Sequence, residues 1–355
     1  MKIVLLSLLV SSFAVAAPKL PLEKLKLPKG FKIEVWAEVP GARSLAQAAD
    51  GRIFVGSRTG SEVYMVKNGK VQIFARGLDS PNGVAIKDNK LYVAEISRIS
   101  EFDISKDQKL PMKATRVLPQ TFPSDNHHGW KFIRFGPDGK LYVPVGANCN
   151  ICDPGKDYAR IYRIDVNGTS KEEVAQGVRN TVGFDFNPET KTLWFTDNGR
   201  DMMGDDVPPC EVNKLSKVGE NFGFPYCHGK SVQDTEFKGK KCSEFTPPQA
   251  ELRAHVAPLG MRFYTGSMFP AEYKNAIIFA EHGSWNRKIP QGYRLSLLKV
   301  KGDAAAGTAD GFIEGWLQDE KPWGRPVDVE ILKDGSMLIS DDFANVIYRL
   351  SYKGS

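Results

Sequence analysis

Histidine is scarce in this chain, and three of the five copies stand where strand ends are predicted: His127, His128 and His282. A neutral histidine can take a proton from a substrate hydroxyl, because its unperturbed pKa lies near neutrality. One member of the adjacent pair can equally be a turn residue whose ring hydrogen-bonds to backbone. The two histidines at 127 and 128 are therefore candidates for acid–base chemistry, with a structural role open for either.

Acidic and amide side chains are concentrated in a second candidate segment of the chain. The segment Asp197–Asp206 contains four aspartates together with Asn198, Gly199 and Gly204. Its spacing does not fit the EF-hand loop, which alternates oxygen ligands before a central glycine. Oxygen-rich loops nevertheless favour hard cations, and backbone carbonyls can complete such a site. The composition therefore allows a calcium site, and it allows an ordinary solvated acidic loop.

These groups can act together only if the fold brings them to one place, and a sixfold repeat supplies such a fold. Each copy has an apolar stretch, a turn rich in Gly, Asp, Asn or Lys, and a short apolar strand ending in polar residues. Such a copy predicts a β-hairpin with one buried face. The copies lie at residues 44–56, 82–94, 132–144, 183–196, 261–280 and 327–340.

Repeated hairpins of this spacing, without long amphipathic helices between them, predict an all-β, six-bladed β-propeller of four-stranded antiparallel blades. The alternating segment Phe31–Trp36 precedes the first copy and is expected to complete the last blade, so that N- and C-terminal strands close the ring. A two-sheet sandwich is the alternative architecture, but it does not explain six copies.

In a propeller, the residues just beyond each hairpin face a common central channel, so they are the predicted lining of the site. Turns leading into the hairpins add the two adjacent histidines and Arg179–Asn180. The predicted lining comprises Ser57–Arg58, Glu95, Asn148, residues 197–201, Glu281–His282 and Asp341–Asp342.

Residues 1–16 have the pattern of a signal peptide: Lys2, an apolar run from Ile3 to Val10, and the small-residue sequence Ala14-Val15-Ala16. We expect a periplasmic or secreted protein whose propeller domain covers residues 17–355, with a long loop insertion around 200–257. The formal charge of +6 is dispersed, which is not typical of nucleic-acid binding.

The five cysteines of an exported chain suggest disulfides and one remaining thiol. Cys149 and Cys152 form one close pair, and Cys227 with Cys242 would close a short loop. Cys210 is then free, although it could replace either member of the second pair. Cys149-x-x-Cys152 has no second pair nearby for zinc, and Asp153 follows it where a haem attachment site has histidine.

The motifs together resemble the pyrroloquinoline quinone (PQQ)-dependent soluble sugar dehydrogenases, the glucose/sorbosone dehydrogenase family, and most closely its sorbosone-type branch. The resemblance covers the whole chain after the signal segment, and it rests on the shared order of short motifs. These are residues 27–31, 40–43, 136–139 after His128, 146–149, 179–180, 196–201, 223–229, 257–260 and 281–287.

The resemblance implies oxidation of an aldose or related sugar aldehyde or hemiacetal, by hydride transfer to the quinone with His128 as general base. It further implies that the cofactors are PQQ and calcium. Backbone carbonyls of Gly199 and Arg200 would bind the calcium, so the Arg200 side chain would matter little. Gly199 would either have a positive φ or stand where a bulky Cβ would press on the cofactor. The residues that would hold PQQ are Arg179, Asn180, His282, Arg287 and Arg325, and candidate substrate contacts are His127, Asn82 and Asn148.

Three positions depart from the glucose-oxidising members. His282 stands where those members carry a lysine, with Arg287 and Lys288 as possible substitutes, and Val327 replaces a second cofactor-binding arginine. The carboxylate that orients the catalytic histidine falls at Ala147, which leaves Asn148 as the nearest polar candidate. These departures make glucose a less favoured substrate than another sugar.

Two other functions remain open from the sequence. One is a calcium-dependent lactonase-type hydrolase, whose metal would be held by Glu95, Asn148 and Asp197. The other is a non-catalytic binding propeller, which would leave the polar clusters without a role. The expected partners of a dehydrogenase are a small-molecule sugar and a separate soluble electron acceptor, such as a cytochrome or copper protein, with no nucleic acid and no membrane anchor.

Overall fold

The computed structural model describes residues 20–105 and 109–354, so the predicted signal segment at 1–16 lies outside the described residues. The chain forms six antiparallel sheets arranged as the blades of a propeller, as the repeats predict. Four strands make up each blade, from the channel outwards, except that the third blade gains a fifth. In the described part of the chain, no helix has the length and apolar character needed to span a bilayer.

The first three blades follow one another in chain order. Blade 1 consists of Ala42–Gln47, Ile53–Ser57, Val63–Lys67 and Lys70–Ala75. Blade 2 consists of Gly83–Lys87, Lys90–Ala94, Ile99–Asp103 and Arg116–Val117. Blade 3 consists of Arg134–Phe135, Leu141–Val145, Arg160–Ile164 and Lys171–Gln176, with Glu220–Asn221 added in parallel at its outer edge.

The remaining blades complete the ring. Blade 4 consists of Phe184–Phe186, Leu193–Asp197, Pro209–Leu215 and Ala250–Ala254. Blade 5 consists of Pro258–Phe263, Ile277–Glu281, Arg294–Leu298 and Asp310–Ile313. Blade 6 consists of Pro326–Ile331, Met337–Asp341 and Val346–Tyr352, and the N-terminal strand Phe31–Glu38 is its outermost member.

Ring closure joins the two ends of the chain. Phe31 lies opposite Tyr352 and Ile33 opposite Leu350 in an antiparallel register. The prediction that the N-terminal strand completes the last blade is therefore confirmed. Closure covers backbone edges that would otherwise be free to pair with another chain.

The hairpin of blade 2 shows how local sequence builds each blade. Lys87 and Lys90 are paired across the two-residue turn Asp88–Asn89, and both turn residues have positive φ, at 50° and 56°. Such a turn matches the twist of the flanking strands, and Asn and Asp tolerate this conformation better than other residues with a Cβ. Apolar side chains of neighbouring blades then pack between the sheets, as in the cluster that contains Phe54 and Phe102.

The innermost strands are irregular at the end of the channel where the predicted site residues lie. Register shifts interrupt the pairing of the first strands of blades 1, 5 and 6, at Ala42/Leu45, Pro258/Met261 and Pro326/Val329. Bulges of this kind redirect side chains and are common beside functional sites. The residues released from regular pairing include Arg43, Leu259 and Val327, which all contribute to the site.

The insertion around 200–257 carries two strands of blade 4 and a small two-stranded hairpin, Cys227–His228 with Val232–Gln233. Disulfides join Cys149 to Cys152 and Cys227 to Cys242, and Cys210 is a buried free thiol. The predicted pairing is confirmed. Further two-stranded ladders and short 3-10 helices decorate the loops: Val300–Lys301 with Ala304–Ala305, Leu317–Gln318 with Lys321–Pro322, Leu22–Lys24, Cys242–Glu244 and Ala271–Tyr273.

Candidate functional site

His128 lies at the mouth of the channel in a backbone conformation that is unusual for a residue with a side chain. Its φ is +49°, in the left-handed region. A Cβ on Gly146 would lie 2.6 Å from the Cβ of His128, so only glycine fits beneath the histidine. The conformation is thus fixed by close backbone approach, and the position of the imidazole is tightly defined.

The ring of His128 is oriented by backbone. Its Nδ1 lies 2.8 Å from the carbonyl oxygen of Ala147, so Nδ1–H donates to that oxygen and Nε2 carries the lone pair. Burial, and then the positive charge of Arg179, lower the pKa of His128 well below its usual value. At neutral pH the ring is therefore a neutral base.

Asn148 was the nearest polar candidate for orienting His128 from sequence, and the structure assigns that role differently. The Asn148 side chain lies beside the Tyr158 hydroxyl. The carbonyl of Ala147 takes the place of the missing carboxylate, a role that a backbone group can fill whatever its side chain is. His127, with its ring centroid 4.2 Å from that of His128, is exposed at the mouth and stays a candidate substrate contact.

Arg179 and Asn180 are held in place by one buried carboxylate. The two oxygens of Asp197 accept hydrogen bonds from the backbone N–H groups of Arg179 and Asn180, at 2.8 and 2.6 Å. Burial raises the pKa of Asp197 to about 6, although these amide donors act in the opposite direction. Asp197 therefore shapes the turn that presents the two residues.

The Arg179 guanidinium lies on the loop that was predicted to bind calcium. Its Nη1 donates to the carbonyl oxygens of Asn198 and Gly199, at 3.1 and 3.0 Å. Its Nη2 donates to Oδ1 of Asn150, at 2.6 Å, inside the Cys149–Cys152 loop. These carbonyls already hold a cationic group, which is the donor chemistry that a hard cation also requires.

Gly199 and Arg200 differ from expectation in two physical respects. Gly199 is not in the left-handed region, and a Cβ there would meet the carbonyl oxygen of Pro209 at 2.6 Å. Packing inside the loop, without any cofactor, thus explains the glycine. The Arg200 side chain is buried and pairs with Asp234 at 2.8 Å, so it has a structural role in the loop that the sequence did not predict.

Blades 5, 6 and 1 meet at a chain of polar contacts. His282 Nε2 lies 2.8 Å from Asp342, and Asp342 accepts from Arg43 at 2.8 Å. Burial alone would raise the pKa of Asp342, but His282 and Arg43 lower it well below its usual range. Burial lowers the pKa of His282 to about 4, so a neutral imidazole donates to an ionised carboxylate. Arg325 donates to the carbonyl oxygen of His282 at 3.0 Å.

Two arginines received no role from sequence and yet belong to the site. Arg58 places its guanidinium carbon 3.6 Å from the ring centroid of Trp130, whose ring lies 5.8 Å from that of His128. Partial desolvation lowers the pKa of Arg58, and repulsion from Arg43 and Arg325 adds to this shift. Arg58 stood in the predicted lining and Arg43 in a recognised motif, but neither signal specified a partner.

The floor between these groups is apolar. Val182, Leu259 and Val327 come from the inner ends of three successive blades and pack together, with Trp130 against them. The cationic side chains Arg43, Arg58, Arg179 and Arg325 belong to blades around this floor. Apolar side chains and several guanidinium groups therefore lie together at this end of the channel, a combination that suits a polyanion with an apolar ring system.

Two other predicted contacts, Arg287 and Asn82, are engaged by other residues of the protein. Arg287 donates to Asp206 at 2.6 Å and to the carbonyl oxygen of Asp205, and so joins two rim loops. Asn82 is fully buried, where it accepts from Arg43 at 2.8 Å and donates to the Lys131 carbonyl. Asn82 thus supports Arg43 from below, and its buried side chain is not available to a substrate.

The ligand set of the lactonase alternative is engaged elsewhere. Glu95 accepts from Arg98, from Ser100 and from the backbone of Asp79, and Asp197 is occupied by backbone amides. Within residues 20–105 and 109–354, no three His, Cys, Asp or Glu side chains are grouped so that they could hold a metal ion. A metal held by side chains alone is therefore not favoured at this mouth.

Comparison with known proteins gives relatives over most of the chain. A Borreliella burgdorferi protein of uncharacterized function is 39% identical over 365 aligned positions, covering 97% of this chain and 95% of that protein. The calcium structure of the Trichoderma reesei carbohydrate-active enzyme of family AA12 has a TM-score of 0.76 at 19% identity, covering 92% and 97% of the two chains.

The holo form of the PQQ domain of pyranose dehydrogenase from Coprinopsis cinerea has a TM-score of 0.74 at 17% identity, over 92% and 97% of the two chains. At such identities these two structures establish the shared fold. The family model described as TrAA12-like matches residues 71–353, which is most of the chain. The protein therefore belongs to the TrAA12-like family.

Proposed function

We propose that this protein oxidises an aldose or a related sugar aldehyde or hemiacetal, with PQQ and calcium as cofactors. The observation that carries the proposal is the apolar floor of Val182, Leu259 and Val327 with guanidinium groups around it. The holo pyranose dehydrogenase domain with the same fold contains PQQ, which supports this choice of ligand.

The residues at the mouth fit PQQ chemically. The quinone is planar and carries three carboxylates, and guanidinium groups form two-point, charge-assisted hydrogen bonds with carboxylates. Arg58, Arg179 and Arg325 are the side chains that would hold it, with Asn180 beside them and His282 at the edge. Arg58 would offset the loss of a basic residue at Val327, and Arg43, which is buried and bonded to Asn82 and Asp342, adds positive charge. When bound, PQQ supplies a hydride acceptor and calcium polarises it.

His128 provides the proton chemistry. Its Nδ1–H is committed to the Ala147 carbonyl at 2.8 Å, so Nε2 is the atom that would accept the sugar hydroxyl proton. The lowered pKa keeps this nitrogen unprotonated at neutral pH. Its rigid setting over Gly146 holds the base in one orientation, which is what a general base needs.

Calcium would share backbone donors with Arg179. The carbonyl oxygens of Asn198 and Gly199 accept from its guanidinium, and the AA12 structure with calcium has the same fold. A calcium ion bound there would compete with the guanidinium for the Gly199 carbonyl. Arg179 would thus be released toward the quinone when the metal binds. The carbonyl of Arg200 remains a further candidate ligand.

The remaining assignments extend the same proposal. We infer a protein of the sorbosone-type branch, exported to the periplasm or secreted, that passes electrons to a separate soluble carrier such as a cytochrome or copper protein. The signal-like pattern at residues 1–16 supports export. The motifs of the sequence support the branch.

Titration of PQQ into the calcium-loaded protein tests the proposal. A bound-quinone absorption band should appear, and aldoses should then reduce an added dye. Arg58→Ala should weaken PQQ binding, whereas Arg349→Ala, which loses an ion pair to Asp334 in the turn between the first two strands of blade 6, should not. Absence of a quinone band at any concentration of calcium would overturn the proposal.

A further inference from the structure

Large apolar side chains are exposed around the mouth of the channel. Trp285 is 67% exposed, Ile289 63%, Met202 58% and Phe343 53%, and Val207 lies among them. All five lie on loops that follow the second strands of blades 4, 5 and 6. We call these five residues the apolar rim. Exposed apolar groups gathered in one place usually mark a binding surface.

The apolar rim is continuous with the candidate site. Trp285 follows His282 by three residues, and Phe343 follows Asp342 directly. His282 and Asp342 are joined by the 2.8 Å hydrogen bond described above. A ligand that occupies the mouth and extends outwards past blades 5 and 6 therefore meets Trp285 or Phe343 first.

The loop that carries Trp285 is braced from both sides. Ser284 and Gln291 exchange two hydrogen bonds of 2.9 Å, and the Tyr293 hydroxyl donates to the Ser284 carbonyl at 2.6 Å. Arg287 ties the same loop to Asp206. The indole is thus held outwards by a fixed backbone, a preorganisation that lowers the entropy cost of binding a ligand.

The composition of the rim favours a carbohydrate over a protein partner. Its apolar side chains alternate with charged and amide groups, namely Asp205, Asp206, Asn286, Arg287 and Lys288. A sugar chain presents both apolar C–H faces, which pack on aromatic rings, and hydroxyls, which bond to such polar groups. A protein docked on this rim would cover the entrance, whereas a sugar chain entering the mouth passes over it.

We propose that the apolar rim is a set of carbohydrate subsites and that the substrate is the terminal residue of an oligosaccharide or polysaccharide. This inference rests on the proposed function, since the terminal sugar is the one oxidised at His128. The Trp285 ring contacts the next sugar residue, and Phe343 and Ile289 contact those beyond it. Free monosaccharides fill only the mouth.

Calorimetric binding of sugars of increasing length tests the inference without requiring turnover. Mono-, di-, tri- and tetrasaccharides of glucose, xylose, galactose and N-acetylglucosamine are compared for the protein loaded with calcium and with PQQ reduced beforehand, so that no hydride transfer accompanies binding. In at least one series, affinity should rise by about five- to ten-fold from mono- to tetrasaccharide. Trp285→Ala should bring that ratio close to one, and Trp285→Phe should keep part of it.

Val218→Ala is the matched control, because Val218 is an exposed apolar residue of the insertion outside the rim loops. It should leave the length dependence intact. No gain with length in any series, or an equal gain in Trp285→Ala, overturns the inference. Sugar binding and PQQ binding are measured separately. A protein that binds long sugars but no quinone would therefore contradict the proposed oxidation while supporting the carbohydrate subsites. Weaker reaction of Trp285→Ala with a cytochrome, at unchanged sugar affinity, would show that the rim binds a protein instead.

Discussion

Replacement of Arg200 by alanine is expected to destabilise the protein by about 3–5 kcal/mol, the usual effect of removing one member of a buried ion pair. The Arg200 side chain is 2% exposed and its partner Asp234 is 0% exposed, with 2.8 Å between Nη1 and Oδ2. His228 contacts the same carboxylate oxygen at 2.8 Å. Without the guanidinium, the buried Asp234 carboxylate keeps only His228 and nearby backbone amides.

Urea denaturation followed by tryptophan fluorescence measures this loss, with both disulfides intact. Thermal unfolding gives a second measure: with an unfolding entropy of about 2.1 cal/mol/K per residue, the same loss of free energy should lower the melting temperature by roughly 4–7 °C. Glu236→Gln is the control, because Glu236 bonds to the same guanidinium at 2.9 Å but is 56% exposed. Its loss should be about 0–1 kcal/mol. Equal, small losses for both variants would refute the reasoning that the pair with Asp234 fixes the loop beside Gly199.

Three further predictions concern single residues. His128→Ala should lower turnover by about two to four orders of magnitude and His127→Ala much less, and equal losses for both variants would contradict the choice of His128 as base. In the unaltered enzyme the acid limb of kcat/KM should lie well below pH 6.5, because burial and Arg179 lower the pKa of His128. Arg179→Ala should weaken PQQ binding by roughly 1.5–3 kcal/mol in a quinone titration, and an unchanged titration would remove it from the site. Burial, and then Asp197, raise the pKa of Glu211 to about 8 from 4.5, so the folded state keeps a proton that the unfolded state loses. Between pH 6 and 8, above the pKa of about 6 of Asp197, the free energy of unfolding should therefore fall by about 1.4 kcal/mol per pH unit. A slope that persists in this window in Glu211→Gln would be inconsistent with this assignment.

The fold was predictable from the sequence because a propeller is built from local units. Each hairpin is recognisable from the alternation of apolar and polar residues and from its turn, as at Asp88–Asn89. Six such hairpins are compatible with few folds other than a propeller. The strand Phe31–Glu38 was also predictable, since an alternating segment before the first repeat has no other blade to join. The Cys149–Cys152 disulfide followed from its short separation along the chain, whereas Cys210 remained an alternative partner for the second disulfide until the structure paired Cys227 with Cys242.

The site was predictable only in part, because its decisive contacts are made across blades or by backbone. The group that orients His128 is a backbone carbonyl, and every residue has one, so the residue types do not indicate which carbonyl accepts from the ring. Arg200 and Asp234 are 34 positions apart in an irregular insertion, so their burial could not be inferred. Arg58 could be placed near the mouth, but its stacking on Trp130 depends on how two blades meet.

Returning calcium and PQQ separately to the stripped protein tests most directly whether sugar oxidation depends on both cofactors. The protein is stripped of metal and quinone, and calcium, PQQ, or both are returned before dye reduction with sugars and lactone hydrolysis are assayed. Dye reduction should appear only when both calcium and PQQ are present. Recovery of lactone hydrolysis with calcium alone, and no dye reduction with both, would contradict it.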